Sequence, residues 1–248
     1  MKRNINGLLG YTMKGTDGEI GKVRDFYFDD ETWDIRHVIL KTGSWFSSRD
    51  VLISPKAILE SDWKDGILPV NLTMKQMLES PEIDTDKPVS RQQEIEIYGH
   101  NLWQPYWGND FYTTGLGGIF GSEHQIAPNE VEETEDKLKP VSIKSSPDDH
   151  HLRSAHVVTG FHIHAIDGKI GHVVDFIMDD QTWKILCLAI DTHQWIGGQK
   201  VLLPVRNIKG IEWENSSVYV DEKMDSIKTS PLFDRSVYED PEKVKRFP

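Results

Sequence analysis

Six aspartates recur at matching positions along this chain and are the first candidates for chemistry. Asp25, Asp29 and Asp30 stand in DFYFDD, and Asp175, Asp179 and Asp180 stand in DFIMDD. Clustered carboxylates serve two chemistries, oxygen ligation of Ca2+ from a loop and general acid/base work by an opposed pair across a cleft. Neither arrangement follows from spacings this short. Aspartate side chains readily accept hydrogen bonds from turn amides, so these acids are read as turn caps, with Asp25 and Asp175 bracing the nearby backbone.

The histidines are the second candidates. His162 and His164 have the spacing that places two side chains on one face of a strand. His172 is close in sequence, and His150, His151 and His156 come shortly before. Three or four converging imidazoles would bind zinc. The residues 150 positions earlier than His162, His164 and His172 are Thr12, Lys14 and Lys22, so the feature is confined to one half of the chain. The reading is of exposed or structurally hydrogen-bonded histidines. Cys187, the single cysteine, lies in an apolar strand without an identifiable histidine partner and reads as a small core residue. Gly115, Gly117 and Gly118 lack the strand–loop–helix setting of a dinucleotide site, and Gly197-Gly198 reads as a turn. No catalytic, cofactor-binding or metal-binding residue is assigned, and the chain is read as not an enzyme and as carrying no cofactor.

The elements that hold these residues come in two copies. GYTMKGTDGEIGKVRDFYFDDETWDIRHVILKTGSW (residues 10–45) aligns without a gap with GFHIHAIDGKIGHVVDFIMDDQTWKILCLAIDTHQW (residues 160–195) at an offset of 150. The register continues through Val51-Leu52 and Val201-Leu202, Trp63 and Trp213, and Ser80-Pro81 and Ser230-Pro231. One register kept through glycines, tryptophans and turn acids together indicates duplication. Asp17-Gly18 and Asp167-Gly168 are hairpin-turn signals. Short β-branched and aromatic stretches follow at Ile20–Phe28, Trp33–Leu40 and Val51–Ile53, and at their counterparts, with later apolar segments at 58–63, 67–70, 208–213 and 218–220. Gly21 and Gly171 mark a bulge or a sharp bend. Short helices are expected at 73–78 and 223–227, and no long helix intervenes to connect parallel strands. Each module is expected to have its own core, with Trp33, Trp183, Trp63 and Trp213 as large structural residues.

The chain divides into a first module at 1–84, a connector at 85–154, a second module at 155–234 and a tail at 235–248. The connector carries GHNLWQPYWGNDFYTTGLGGIFG, where Trp103, Tyr106, Trp107, Phe111 and Tyr112 crowd together. These aromatics either form a protein-interaction patch or pack between the modules. An acidic stretch follows, with Glu130, Glu132, Glu133, Glu135 and Asp136. The formal net charge of −12 repels nucleic-acid phosphates and anionic lipid. No apolar run approaches the ~20 residues of a membrane span. A cytoplasmic location is expected.

The paired modules resemble the PRC-barrel family, which is named for a barrel in a photosynthetic reaction-centre subunit. The residues that carry the resemblance are DGEIGKVRDFYFDDETWDIRHVIL at 17–40, DGKIGHVVDFIMDDQTWKILCLAI at 167–190, VLISPKAI at 51–58 and VLLPVRNI at 201–208. The resemblance covers roughly residues 5–80 and 155–230, and PVSRQQEIEIYG also looks like segments of bacterial two-barrel members. It implies a mainly β chain of two small antiparallel barrels joined by an irregular Gly/aromatic connector and short helices. The family includes the reaction-centre H subunit and part of a ribosome-maturation factor, and neither the membrane helix of the one nor the N-terminal domain of the other is expected here. The expected function is therefore a non-enzymatic protein-interaction or scaffold protein. Its expected partner is another protein or, through self-association as a homo-oligomer, a second copy of itself, and not DNA. Two other readings stand beside it, a metal-dependent enzyme using carboxylates or histidines and an RNA-associated assembly factor.

Overall fold

The computed structural model describes residues 1–43, 49–59, 63–78, 152–192 and 198–239. Both halves follow one plan. In the first, β2 (Thr12–Lys14), β3 (Glu19–Asp29), β4 (Ile35–Thr42), β5 (Arg49–Ile53) and β6 (Ile67–Pro69) form a sheet in the order β5-β4-β3-β2-β6. In the second, β8 (His162–Ala165), β9 (Gly168–Asp179), β10 (Lys184–Asp191), β11 (Lys200–Pro204), β12 (Ile208–Glu212) and β13 (Ser217–Val220) run in the order β11-β10-β9-β8-β13-β12. The apolar stretches identified in the sequence account for most of these strands, and short helices follow at Met74–Leu78 and Met224–Lys228.

Two expectations about the sheets are corrected. They are mixed, because β2 pairs β6 in parallel and β13 pairs β8 in parallel, so they are not purely antiparallel. Nor do they close into barrels, since each sheet ends on two different edge strands. Of the stretch at 58–63, the described residues 58, 59 and 63 lie outside the named strands. Ile58 makes only an isolated bridge to Val70.

The glycines inside β3 and β9 sit where strands approach too closely for a side chain. A Cβ on Gly21 would lie 2.4 Å from the Lys41 carbonyl oxygen, and one on Gly171 would lie 2.0 Å from that of Asp191. Gly171 also has φ +91°. A register shift accompanies each glycine, between Met13 and Lys14 on one strand pair and between His162 and His164 on the other. These are bulges that bend the long strands sharply.

The two halves exchange their leading strands. β1 (Lys2–Asn4) crosses over and pairs antiparallel with the end of β9, Lys2 facing Asp179 and Asn4 facing Ile177. β7 (Leu152–Ser154) reciprocates on β3, with Leu152 facing Asp29 and Ser154 facing Tyr27. Each arm then turns directly into a short helical segment, Ile5–Gly7 in one case and Ala155–Val158 in the other. Most of the buried apolar residues accordingly form one cluster drawn from both halves rather than a core per module. It runs from Met13, Phe26 and Phe28 to Phe176, Leu188 and Ile190, and Phe28 and Phe176 meet with ring centroids 5.5 Å apart. A chain of this length split into two separate units would hold two small cores, and sharing one core raises the fraction of surface buried.

A second apolar layer covers the outer face of the second sheet. Val237 and Tyr238, on the helix Arg235–Glu239, pack with Ile177, Ala189 and Leu202. Cys187 joins this outer layer rather than the central core.

Candidate functional site: the seam between the halves

Four of the six repeated acids join the halves. Asp25 lies buried on β3, where the chain arriving from β7 bends into its helix. Its carboxylate accepts hydrogen bonds from Ser154 Oγ and from the His156 amide, the latter at 2.9 Å. Asp175 does the same for the other arm, accepting from Asn4 Nδ2 at 2.9 Å and the Asn6 amide at 3.0 Å. Each also accepts from the next amide in its own strand, Phe26 or Phe176. Burial pushes both carboxyls up from the ordinary carboxylate value, and these hydrogen bonds offset part of that shift.

Asp30 and Asp180 form the next reciprocal pair. Arg3 Nε donates to Asp180 Oδ2 at 2.6 Å, and the N-terminal ammonium of Met1 also pairs with Asp180. Arg153 Nε donates to Asp30 Oδ2. The guanidiniums also lie over tryptophans, Arg3 over Trp63 at 4.5 Å and Arg153 over Trp213 at 5.9 Å. Both contacts are cation–π arrangements. Burial raises the Asp30 carboxyl, and Arg153 pulls it back only in part.

Turn capping holds for the remaining pair. Asp29 Oδ1 accepts from the Glu31 and Thr32 amides, and Asp179 Oδ1 accepts from the Gln181 and Thr182 amides. Burial pushes Asp29 up, but the Thr32 amide and the nearby Arg36 outweigh it and hold the carboxyl below its ordinary value. These capped turns end on Trp33 at φ 63° and Trp183 at φ 56°. A bulky residue in the left-handed region costs about 1–3 kcal/mol and persists only where its surroundings demand it. Here the conformation aims each tryptophan carbonyl across the seam. Trp183 O accepts from the Ile35 amide at 2.7 Å, and Trp33 O accepts from the Ile185 amide at 2.8 Å.

A cleft of about 420 Å³ opens along this seam. The first half contributes Ile35, Ser54, Pro55 and Lys56, and the second contributes Asp180 and Trp183. Trp63 stands beside Trp183 at 5.5 Å between ring centroids, and exposed Leu59 reaches the rim. The surface is half apolar and carries both signs of charge.

The other sequence candidates are distributed as follows. Trp33 and Trp63 are buried, while Trp183 and Trp213 pack half-buried against the core. His156 and His162 are exposed. His164 packs tilted against Tyr219 with ring centroids 4.9 Å apart, and its Nε2 lies 3.2 Å from Ser217 Oγ. Desolvation, then Lys169 and His162, lower its pKa. Burial pushes the Cys187 thiol up, away from the reactive thiolate. Trp103, Tyr106, Trp107, Phe111 and Tyr112 lie outside the described residues, as do Gly115, Gly117, Gly118, His150 and His151. Among the described residues, no three His, Cys, Asp or Glu side chains gather as a metal cage, and no helix is long and apolar enough to cross a membrane.

The exchanged arms are the elements of the seam that motif reading misses. The available signal is Arg3 and Arg153, which keep the offset of 150 ahead of the conspicuous repeat.

The PRC-barrel domain matches residues 4–75 and 157–227. No curated protein matches the chain. The exchanged strand Leu152–Ser154 precedes the second matched segment, and Lys2 and Arg3 precede the first.

Proposed function

Because the chain belongs to the PRC-barrel family, we propose that it is a non-enzymatic protein-interaction scaffold whose two modules act as one unit. PRC-barrel domains are generally protein-interaction modules. The observation that carries the reading is the use of the repeated acids. Asp25, Asp30, Asp175 and Asp180 each bind the opposite half, and Asp29 and Asp179 cap turns. The residues best suited by type to acid/base work therefore do structural work. Among the described residues the seam cleft is left for a partner, and Trp103, Tyr106, Trp107, Phe111 and Tyr112 of the connector, outside those residues, are the candidates that the sequence adds.

Affinity capture with the full chain tests the proposal. The wild type is compared with a cleft variant, Lys56→Glu with Leu59→Ser, and with a connector variant, Trp103→Ala with Trp107→Ala. Circular dichroism and thermal melting check the fold of each. Specific loss of one partner set in a variant that melts like the wild type supports the scaffold reading. Capture unchanged in both variants counts against it, and turnover of a small-molecule panel by the wild type overturns it.

A further inference from the structure

One row of side chains in the second half is not explained by folding the seam. Strand register places Glu212 opposite Ser217, Ser217 opposite His162, His162 opposite His172, and His172 opposite Asp191. The row thus crosses five neighbouring strands. Residues directly opposed in an antiparallel pair project to the same face, with Cβ atoms about 4.5–5.5 Å apart. The neighbours Ile163, Val173 and Ile190 are fully buried, which fixes the other face of these strands as the core side. His162 is exposed and His172 half-buried, so both imidazoles sit on the outer face at the centre of the row.

We propose that His162 and His172 form a two-imidazole site for a late first-row divalent ion, Cu2+ above Zn2+. Two opposed imidazoles at this spacing can bind one ion, with water completing its coordination. Asp191 is the register partner of His172 on β10 and brings a carboxylate to the row, a charge that favours a cation. The Gly171 bulge shifts the register of β9 by one residue beyond His164, and that shift is what brings His172 opposite His162.

The duplication supplies an internal control. In the first half, the positions of His162, His172 and Asp191 are held by Thr12, Lys22 and Lys41, which face one another in the same register. The backbone arrangement is shared, and there a threonine and two ammonium groups replace the imidazoles and the carboxylate. The row is therefore a property of side chains added to a common frame, not a requirement of that frame. His164, two residues along from His162, is already engaged with Ser217 and Tyr219.

Titration of the full chain with Cu2+ and then Zn2+, followed by calorimetry and by electron paramagnetic resonance for Cu2+, tests the site. The variants are His162→Ala, His172→Ala and His172→Gln, with His156→Ala as an exposed control outside the row. The expected result is one Cu2+ equivalent bound through two nitrogens, with affinity falling about tenfold or more in each row variant and unchanged in His156→Ala. Saturating metal should raise the melting temperature of the wild type and leave that of His172→Gln where it was, because binding stabilises only the state that binds. The inference is overturned by affinity that is equal in wild type and row variants. It is also overturned by loss that follows His156 instead, or by a spectrum with a single nitrogen ligand. Metal-free melting of each variant separates lost ligands from lost folding.

Discussion

Asn4 and Asp175 stand 171 positions apart in sequence, yet the Asn4 side-chain amide donates to the Asp175 carboxylate at 2.9 Å inside the protein. Its counterpart, Ser154 to Asp25, repeats the arrangement in the opposite direction. The two contacts hold each arm at the point where it leaves its strand and enters a helical turn.

Replacing either aspartate by alanine should therefore loosen an arm rather than an isolated turn. Asp175→Ala leaves Asn4 Nδ2 and the Asn6 amide without their acceptor, and unsatisfied buried donors cost about 1–3 kcal/mol each. Asp179→Ala removes caps on amides at an exposed turn and should cost less, about 0.5–2 kcal/mol by analogy with helix caps. Urea denaturation of the two variants checks the ranking. Hydrogen exchange should show early opening of Lys2–Asn4 in Asp175→Ala and of no such strand in Asp179→Ala.

The same carboxyls predict the direction of a pH dependence. Burial raises Asp25 and Asp175 in the folded state. The folded chain therefore keeps protons that the unfolded chain has already released above its ordinary aspartate value of about 3.9. Unfolding releases those protons, so this contribution is fully present below that value and is lost as pH rises through the raised one. Asp29 is held low and works in the opposite sense, losing its contribution as pH falls through its depressed value. The double variant Asp25→Asn with Asp175→Asn removes the first contribution only. Its stability relative to wild type should improve as pH is raised from about 4 through the raised value and level off above it, and a pH series of urea melts reads that change.

How much of this is legible in the sequence depends on the range of each interaction. Gly21 and Gly171 announce a bulge, and Asp29 and Asp179 announce capped turns, because both features are settled within a few residues. Trp33 and Trp183 look like core residues, and nothing local shows that their backbones turn left-handed to reach the other half. The same holds for Asp25, whose partners lie at Ser154 and His156. The arms are the hardest to see. Lys2-Arg3-Asn4 and Leu152-Arg153-Ser154 are three-residue strands of mixed polarity with no alternation to detect, and they pair only because a bent strand in the opposite half presents an edge. The parallel pairings of β6 with β2 and of β13 with β8 escape sequence reading for a related reason. A short strand carries no mark of the direction in which its partner runs.

The reciprocal arginines offer a third test. The side chains of Arg3 and Arg153 are only 10% and 15% exposed, and each combines an ion pair with a tryptophan face. Arg3→Lys keeps the charge but loses the planar fork that serves both contacts. It should cost about 1.5–3 kcal/mol, the worth of a hydrogen bond to a charged group. Arg24→Lys, at the half-exposed pair with Asp50, should stay within ~0.5 kcal/mol. Thermal melts of the two variants under the same buffer separate the cases, and equal shifts would mean that the arm contributes no more than an ordinary surface pair.

Gly171 gives the sharpest contrast between a position that requires glycine and one that does not. Alanine there would place a Cβ 2.0 Å from the Asp191 carbonyl, at a φ of +91° that side chains rarely adopt. The obstruction is backbone in the neighbouring strand, so it cannot rotate aside, and relief requires β9 and β10 to separate. The loss should exceed the roughly 1–3 kcal/mol of a strained backbone position alone. Gly210 lies in β12, where an added Cβ would meet nothing within 4 Å, and its backbone is not in the left-handed region. Gly210→Ala should be neutral or should stabilise by about 0.4–1 kcal/mol through the unfolded chain. Because the Gly171 bulge also sets His172 opposite His162, Gly171→Ala carries a second readout. In protein that remains folded at low temperature, Cu2+ affinity should fall along with stability, whereas Gly210→Ala should leave both in place.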